Sequence, residues 1–413
     1  FKWRLVPALW VPTQYAICWY AAYVWSTSEH LKTYEYVGIV VSVGILSGAI
    51  GINVAHELVH KTSSWERFLG RVLLAGVWYG HWANEHLYGH HRLVSTPYDP
   101  ATSKLGESFY RFWYRSVTGT WASARAMEAR RLRNTNGIIK RVISDAVFQS
   151  VIYSLAVAYG YYLSLGWYGM LFFFLQAPVA FSMLEAVNYI EHYGLYRKRR
   201  VDAPEASVLD QAHKEGNYAV IDRAYETVSP FHSWNAQHTV TNYLLLKLQR
   251  HSDHHANAAR RYQVLRTFLA SPQLPTGYSG CILMALCPPV WFFVMNDRVK
   301  HCHERIARVE KSGVNVFSED FDAEARRLGS VEAALDALLA EKEERQERKI
   351  PKKNATEVCR SQSPDNRTSP TTLAPHAMSR RREKHVQNGK KGLEAREEDG
   401  RGRGRGRKPA LHE

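Results

Sequence analysis

The 413-residue sequence has little cysteine: Cys18, Cys281, Cys287, Cys302 and Cys359 are the five, with no Cys-x-x-Cys pair among them. That excludes a disulfide framework and a thiolate cluster for iron or zinc, so any electron carrier built on such a cluster is a separate protein. A cleavable signal-peptide pattern is also missing, and the opening residue is Phe1, which reads as a trimmed start. Charge is missing over long stretches. There is none in the 24 residues between Arg4 and Glu29, the 20 between Glu35 and His56, or the 39 from Ala146 to Leu184. A helix crosses the hydrocarbon core with about 20 apolar residues. Membrane spans are therefore expected at 5–28, 36–55, 146–164 and 168–187, the last two joined by the turn-like Ser164-Leu-Gly-Trp-Tyr-Gly169. A soluble core of buried helices would explain one such stretch but not four.

Acidic residues are outnumbered, 39 to 54, and the excess is uneven. Between the second and third spans lie Lys61, Arg67, Arg71, Arg92, Lys104, Arg111, Arg115, Arg125, Arg130, Arg131, Arg133, Lys140 and Arg141, whereas the connections on the other side hold Lys32 alone. The positive-inside rule assigns the basic side to the cytoplasm. Phe68 to Gly80 is too short to cross and is expected to lie against the membrane or the core. Leu274 to Met295 is broken by Pro288-Pro289 and is not counted as a crossing. Residues 318–349 have the amphipathic pattern of a peripheral cytosolic helix. Beyond Ile350 the composition turns to Ser, Thr, Pro, Arg and Gly and holds +8 of the +15 formal charge. The expected fold is all-α: a multi-pass membrane helical bundle over residues 1–349 with a cytoplasmic, histidine-rich di-metal site, followed by a disordered basic tail at 350–413.

Histidine is what the sequence concentrates. Nine of the 19 fall in four short clusters: His56 and His60; His86, His90 and His91; His192; and His251, His254 and His255. Offsets of three and four put imidazoles on one helix face. Nine are too many for one ion, and two metals with four or five nitrogens each share them more sensibly. Imidazole suits iron, copper, nickel and zinc alike. A site at a membrane face, above a bundle that admits an apolar molecule, points to iron and oxygen chemistry on a lipid-soluble substrate. On a regular helix His91 sits about 140° round from His86, so it serves the other metal unless the helix breaks at Gly89. His81, His232 and His238 are expected to pack or support. Glu57, Glu85, Glu191 and Asp253 neighbour ligands in sequence and are expected to orient a ring by accepting its other N–H. His56-Glu-Leu-Val-His60 is also a zinc metalloprotease signature, but that reading leaves six histidines without a role.

The motifs His56-Glu-Leu-Val-His-Lys61, Glu85-His-Leu-Tyr-Gly-His-His91, Asn188-Tyr-Ile-Glu-His-Tyr-Gly194 and Leu248-Gln-Arg-His-Ser-Asp-His-His255 resemble the set that marks the membrane alkane 1-monooxygenases. These are the rubredoxin-dependent alkane hydroxylases of the fatty acid desaturase/hydroxylase superfamily. The similarity runs from near Leu5 to about Val299 and includes Pro230-Phe-His-Ser-Trp-Asn235 and Arg260-Arg-Tyr-Gln263. Asn-Tyr-x-Glu-His-Tyr-Gly is its specific motif, since the wider superfamily shares only the other three. The resemblance implies six membrane helices, so the family's first hairpin is absent from the four spans read here. It implies that His56, His60, His86, His90, His91, His192, His251, His254 and His255 bind two iron ions. It further implies terminal hydroxylation of n-alkanes with O2, electrons from rubredoxin and its NAD(P)H-dependent reductase, and a bacterial inner membrane. No nucleic-acid partner is expected. Arginines between 111 and 141 would attract an acidic electron carrier. Ile52 and Leu248, each about one turn before a ligand, are expected to line the end of the substrate passage. The rival readings are a related hydroxylase or desaturase acting on alkyl-aromatic or fatty acyl substrates, and the zinc protease.

Overall fold

The computed structural model describes residues 2–349; the tail at 350–413 lies outside the described residues. A stretch with no charge to solvate satisfies its backbone internally by forming helix. The uncharged stretches do so in α1 (Lys2–Thr27), α2 (Thr33–Leu46) and α9 (Ala146–His192). α2 continues through a π-helical turn (Ser47–Ile52) into α3 (Asn53–Val59), giving one rod over Thr33–Val59. Among the described residues, this rod and α9 are long and apolar enough to cross a bilayer. α1 is as long as the rod but carries Thr13, Gln14 and two prolines.

α9 is a hairpin. Gly166 (φ 66°, ψ −159°) interrupts it, and the rings of Tyr161 and Phe173 lie 5.9 Å apart, whereas twelve residues of straight helix would span about 18 Å. The returning limb packs tightly on the rod: a Cβ on Gly44 would fall 2.5 Å from that of Val179, and one on Gly48 would meet the Ala180 carbonyl and lie 2.7 Å from Met183 Cβ. At the turn end, Trp25 of α1 touches both Tyr36 (5.6 Å) and Tyr168 (6.5 Å). The opposite end therefore collects the last turn of α3 and the last residue of α9, His192.

Between them, α4 (Ser64–Ala75) takes the second of the two placements expected for it, against the core. It turns into the bundle, where the Tyr15 hydroxyl donates to the Val72 carbonyl (2.7 Å) and Gln176 Nε2 to that of Gly76 (2.8 Å). The chain doubles back at Trp78, a non-glycine residue at φ 55° wedged against Phe173 and Phe174. It returns through α5 (Trp82–Glu85), a second π turn (His86–His90) and α6 (His91–Leu93). α7 (Phe109–Leu132) crosses α9, with Phe112 against Tyr189 and Trp113 Nε1 donating to Ser182 Oγ, and α8 (Ile138–Ser144) leads into α9.

Short helices follow: α10 (Ala206–Lys214), α11 (Tyr218–Arg223), α12 (Thr239–Leu244) and α13 (His251–Ala256). The apolar run at 274–295 breaks at Cys287 into α14 (Tyr278–Ala285) and α15 (Pro288–Ser312), whose first turn accommodates both prolines because its N–H groups need no partner. Residues 318–349, expected as one helix, are two: α16 (Glu319–Leu328) and α17 (Val331–Lys349). Gly329 takes φ 68° between them, a left-handed cap. Phe321, Ala325, Ala334 and Leu335 pack on Phe231 and Ala270, bracing the segment before α13. The described residues are all-helical, with isolated bridges at Arg199–Tyr225 and Asn235–Gln273 and no strand.

The contact at Gly48 is helix against backbone, which cannot yield. Gly48→Ala is expected to cost about 1–3 kcal/mol, seen as a lower unfolding temperature in detergent. Gly38→Ala, where nothing lies within 4 Å, leaves that temperature unchanged. Equal stability of the two variants would contradict the close rod–hairpin packing.

Candidate metal centre

Every predicted ligand is carried on a helix end or helical turn at one end of the bundle. α3 brings His56 and, at its end, His60; the π turn and α6 bring His86, His90 and His91; α9 ends on His192; and α13 carries His251, His254 and His255. A helix of six residues is not stable alone. The Pro230–Asn235 segment anchors it: Ser252 N–H donates to Asn235 Oδ1 (2.9 Å), Asn235 Nδ2 to Ser252 Oγ (2.6 Å), and Trp234 Nε1 to the Tyr193 carbonyl (2.9 Å).

The nine histidines form two groups, His56, His60, His86, His91 and His254, and His90, His192, His251 and His255; within each group the ligand atoms lie within 4.8 Å of one another. All but His60 and His91 are buried. In the first group, Nε2 atoms face each other at 3.0 Å (His56–His254, His60–His86) and 3.2 Å (His60–His91, His86–His91, His91–His254). In the second, His251 and His255 do so at 2.9 Å.

His91 departs from regular-helix geometry without a break at Gly89. Its N–H bonds to the His86 carbonyl, five residues back. That π turn brings His91 over His86 into the same group and hands His90 to the other. Gly89 is needed there for space, because a Cβ would lie 2.6 Å from Glu85 Oε1.

A neutral imidazole has one N–H and one lone pair, so five converging Nε2 atoms cannot satisfy one another. Burial first, then neighbouring imidazoles, holds His60, His86, His91, His251, His254 and His255 well below the usual histidine pKa, and they stay neutral. Two nitrogens each about 2.1 Å from a common cation, at roughly 90–100°, lie about 3.0–3.2 Å apart. The donor set therefore fits a metal ion in each group. The buried Nε2 atoms of His90 and His192 have no hydrogen-bond partner, while their Nδ1 atoms are held from behind by Asp99 Oδ2 (2.8 Å) and the His232 carbonyl (3.2 Å). Such support fixes the ring and leaves Nε2 as the ligand atom.

Asp99 was not expected. It lies in the Ser95–Pro100 turn, where Ala101 N–H donates to its Oδ1 (3.0 Å) and Thr102 Oγ1 to its Oδ2 (2.6 Å). Burial pushes its pKa up, but electrostatic attraction to the His90 ring and the hydrogen bonds with His90 and Thr102 more than offset that and hold it low. The available signal was an acid in a turn eight residues beyond His91. Of the four carboxylates expected to orient rings, Glu191 reaches a ligand, and on its metal-facing side: its Oε2 is 3.0 Å from His251 Nε2, while its Oε1 accepts from the Tyr278 hydroxyl (2.6 Å). Glu57 instead faces Lys61 Nζ (2.6 Å), Glu85 accepts from Ser123 Oγ (3.1 Å), and Asp253 is taken by Asn257, Arg260 and the Arg266 N–H. Adjacent residues on a helix point about 100° apart, which turns these three away from their neighbours' rings. His81 packs between Tyr79 and Trp121, and His238 lies against Gly277.

An apolar cavity of about 400 Å³ adjoins both groups. His56, His86 and His251 stand in its wall with Ile45, Ala49, Met183, Leu283 and Leu286, and so do Ile52 and Leu248. Glu191, Tyr278, Asn53 and Asn188 are the polar groups beside those histidines. The arrangement offers a bound metal pair an apolar substrate and little water.

Residues 33–282 match the fatty acid desaturase family model. The chain is 42% identical over 282 residues to alkane 1-monooxygenase 2 of Pseudomonas aeruginosa, covering 67% of this chain and 69% of that protein. It is 35% identical over 322 residues to alkane 1-monooxygenase 1 of Alcanivorax borkumensis, covering 76% and 73%. Similarity to the xylene/toluene monooxygenase hydroxylase component of Pseudomonas putida is lower, 28% over 277 residues, covering 66% and 67%.

Asp99→Asn is expected to weaken metal binding by the His90, His192, His251 and His255 group about 10–100-fold, lowering metal per chain after mild chelation; unchanged content would remove Asp99 from the site. With the ring pKa values held low, protons compete poorly, so metal content at about pH 6 equals that at pH 7.5. Loss of metal with a midpoint near pH 6.5 would contradict the buried, neutral set.

Proposed function

Because the chain belongs to the fatty acid desaturase family and, within it, to the alkane 1-monooxygenases, we propose that it hydroxylates the terminal carbon of n-alkanes through two iron ions held by the five and four histidines. One oxygen atom of O2 enters the C–H bond, and the other leaves as water with two protons and two electrons. Rubredoxin supplies the electrons and is itself reduced by an NAD(P)H-dependent reductase. The observation that carries this reading is the apolar cavity with histidines of both groups in its wall. Its volume falls within the usual range for small-ligand sites.

The iron pair would supply oxygen activation and C–H cleavage, which side chains alone do not. The chain's own residues bind and orient. Ile45, Ala49, Met183 and Leu283 receive the alkyl chain without a hydrogen bond to direct it, so shape alone selects its end. Ile52 and Leu248, each near a ligand, set how far the terminal carbon advances. Tyr278 holds the Glu191 carboxylate beside His251, and Asp99 and the His232 carbonyl hold the rings of His90 and His192.

We take the protein to be a multi-pass protein of the bacterial inner membrane with this site on the cytoplasmic side. Both apolar helices carry ligands at the same end, and the basic residues gather between them at that end. A bilayer then concentrates the alkane beside the cavity. The zinc protease reading needs Glu57 as a base at the metal, yet its carboxylate is paired with Lys61.

Iron content per purified chain, compared with His251→Ala, tests the metal. Zinc alone, with turnover insensitive to oxygen, would overturn the reading. Gas chromatography of cells fed octane, xylene and fatty acids is expected to show 1-octanol as the principal product. Leu248→Phe shifts preference to shorter alkanes; an unchanged chain-length profile would take Leu248 out of the passage.

A further inference from the structure

The proposed reaction needs two electrons, and seven of the nine histidines are buried, so entry is expected at a surface that backs onto a ligand-bearing segment. One surface does. In the segment from Trp82 to Leu93, His86 and His90 join the metal groups, while Asn84, Tyr88 and Arg92, spaced i, i+4, i+8, line a cleft of about 710 Å³ on the other side. The opposite walls bring Arg71 from α4 and Arg130, Arg131 and Arg133 from the end of α7 and beyond it. Arg131 is paired with Glu128, and Arg130 stands 3.8 Å from Glu215. Arg71, Arg92 and Arg133 meet no carboxylate among the described residues. Glu128, the one acid in the walls, is itself buried.

We propose that this cleft is the docking site of the electron carrier, a small acidic protein whose carboxylates meet the unpaired arginines and whose redox centre comes to rest behind His86, His90 and His91. The proposal depends on the monooxygenase reading above. Three unneutralised guanidiniums in a concave wall steer an acidic partner and fix its register. The shared helical segment makes the covalent route from the cleft to ligands of both groups a few residues long. Ser144 at the end of α8 and Ala146 and Gln149 at the start of α9 also border the cleft, which makes a phospholipid headgroup the competing occupant. A lipid would have no need of the place behind the ligand segment.

The test uses the whole chain in detergent, rubredoxin as the carrier, and the double variant Arg71→Gln/Arg133→Gln. Both residues lie outside the metal and substrate sites. The variant is expected to raise the KM for rubredoxin about fivefold and flatten its dependence on salt. Iron content, and octane turnover driven by a chemical reductant with a mediator, stay at wild-type levels. Arg111→Gln, an exposed basic change outside the cleft, leaves the KM unchanged. A KM and salt dependence unaltered in the double variant would overturn the proposal. So would loss of a co-purifying anionic phospholipid with normal rubredoxin kinetics, which assigns the cleft to lipid. Wild-type protein that oxidises no alkane with rubredoxin would instead defeat the underlying monooxygenase reading.

Discussion

The structure depends on nine imidazoles held so that their ring nitrogens converge in two groups, each of which could hold a metal ion. Nε2 atoms of these imidazoles face one another across 2.9–3.2 Å within the two groups. Without a positive ion among them, each group is a set of acceptors with too few donors. Holding nine rings in that arrangement requires rigid support, and the rest of the chain provides it. Two apolar helices end at the site, α7 braces the returning limb of α9, and the Asn235–Ser252 pair fixes a six-residue helix that could not stand alone.

The same geometry ties the metal groups to an apolar substrate. The rod and the hairpin pack closely at Gly44 and Gly48, and the cavity runs beside that contact from Ile45 and Ala49 to Ile52 and Leu248. His56 is four residues beyond Ile52 on the same rod, and His251 three beyond Leu248. On the rod, cavity wall and ligand are therefore parts of one helix, while Leu248 lies in the turn that leads into α13.

Much of the fold could be read from residues alone. Uncharged stretches of about span length became the rod and the two limbs of α9, with Gly166 inside the turn expected at 164–169. Amphipathic pattern was less informative at 318–349, where one left-handed glycine divides the run in two; the short apolar run at 68–80 left membrane and core open, and Tyr15 and Gln176 hold it in the bundle. Carboxylates beside ligands were misleading for Glu57, Glu85 and Asp253, since adjacency along a helix separates side chains rather than joining them.

Spacing of three and four residues was enough to bring together the histidines of α3 and those of α13, because a regular helix puts such positions on one face whatever surrounds it. What only the tertiary structure decided is the division into five and four. A π turn, which has no fixed sequence signature, exchanged the places of His90 and His91. Asp99 became the support of His90 through chain folding that no local pattern encodes. Local periodicity fixes which side chains share a face; which faces meet, and behind which ring a distant acid comes to rest, depends on how the helices pack.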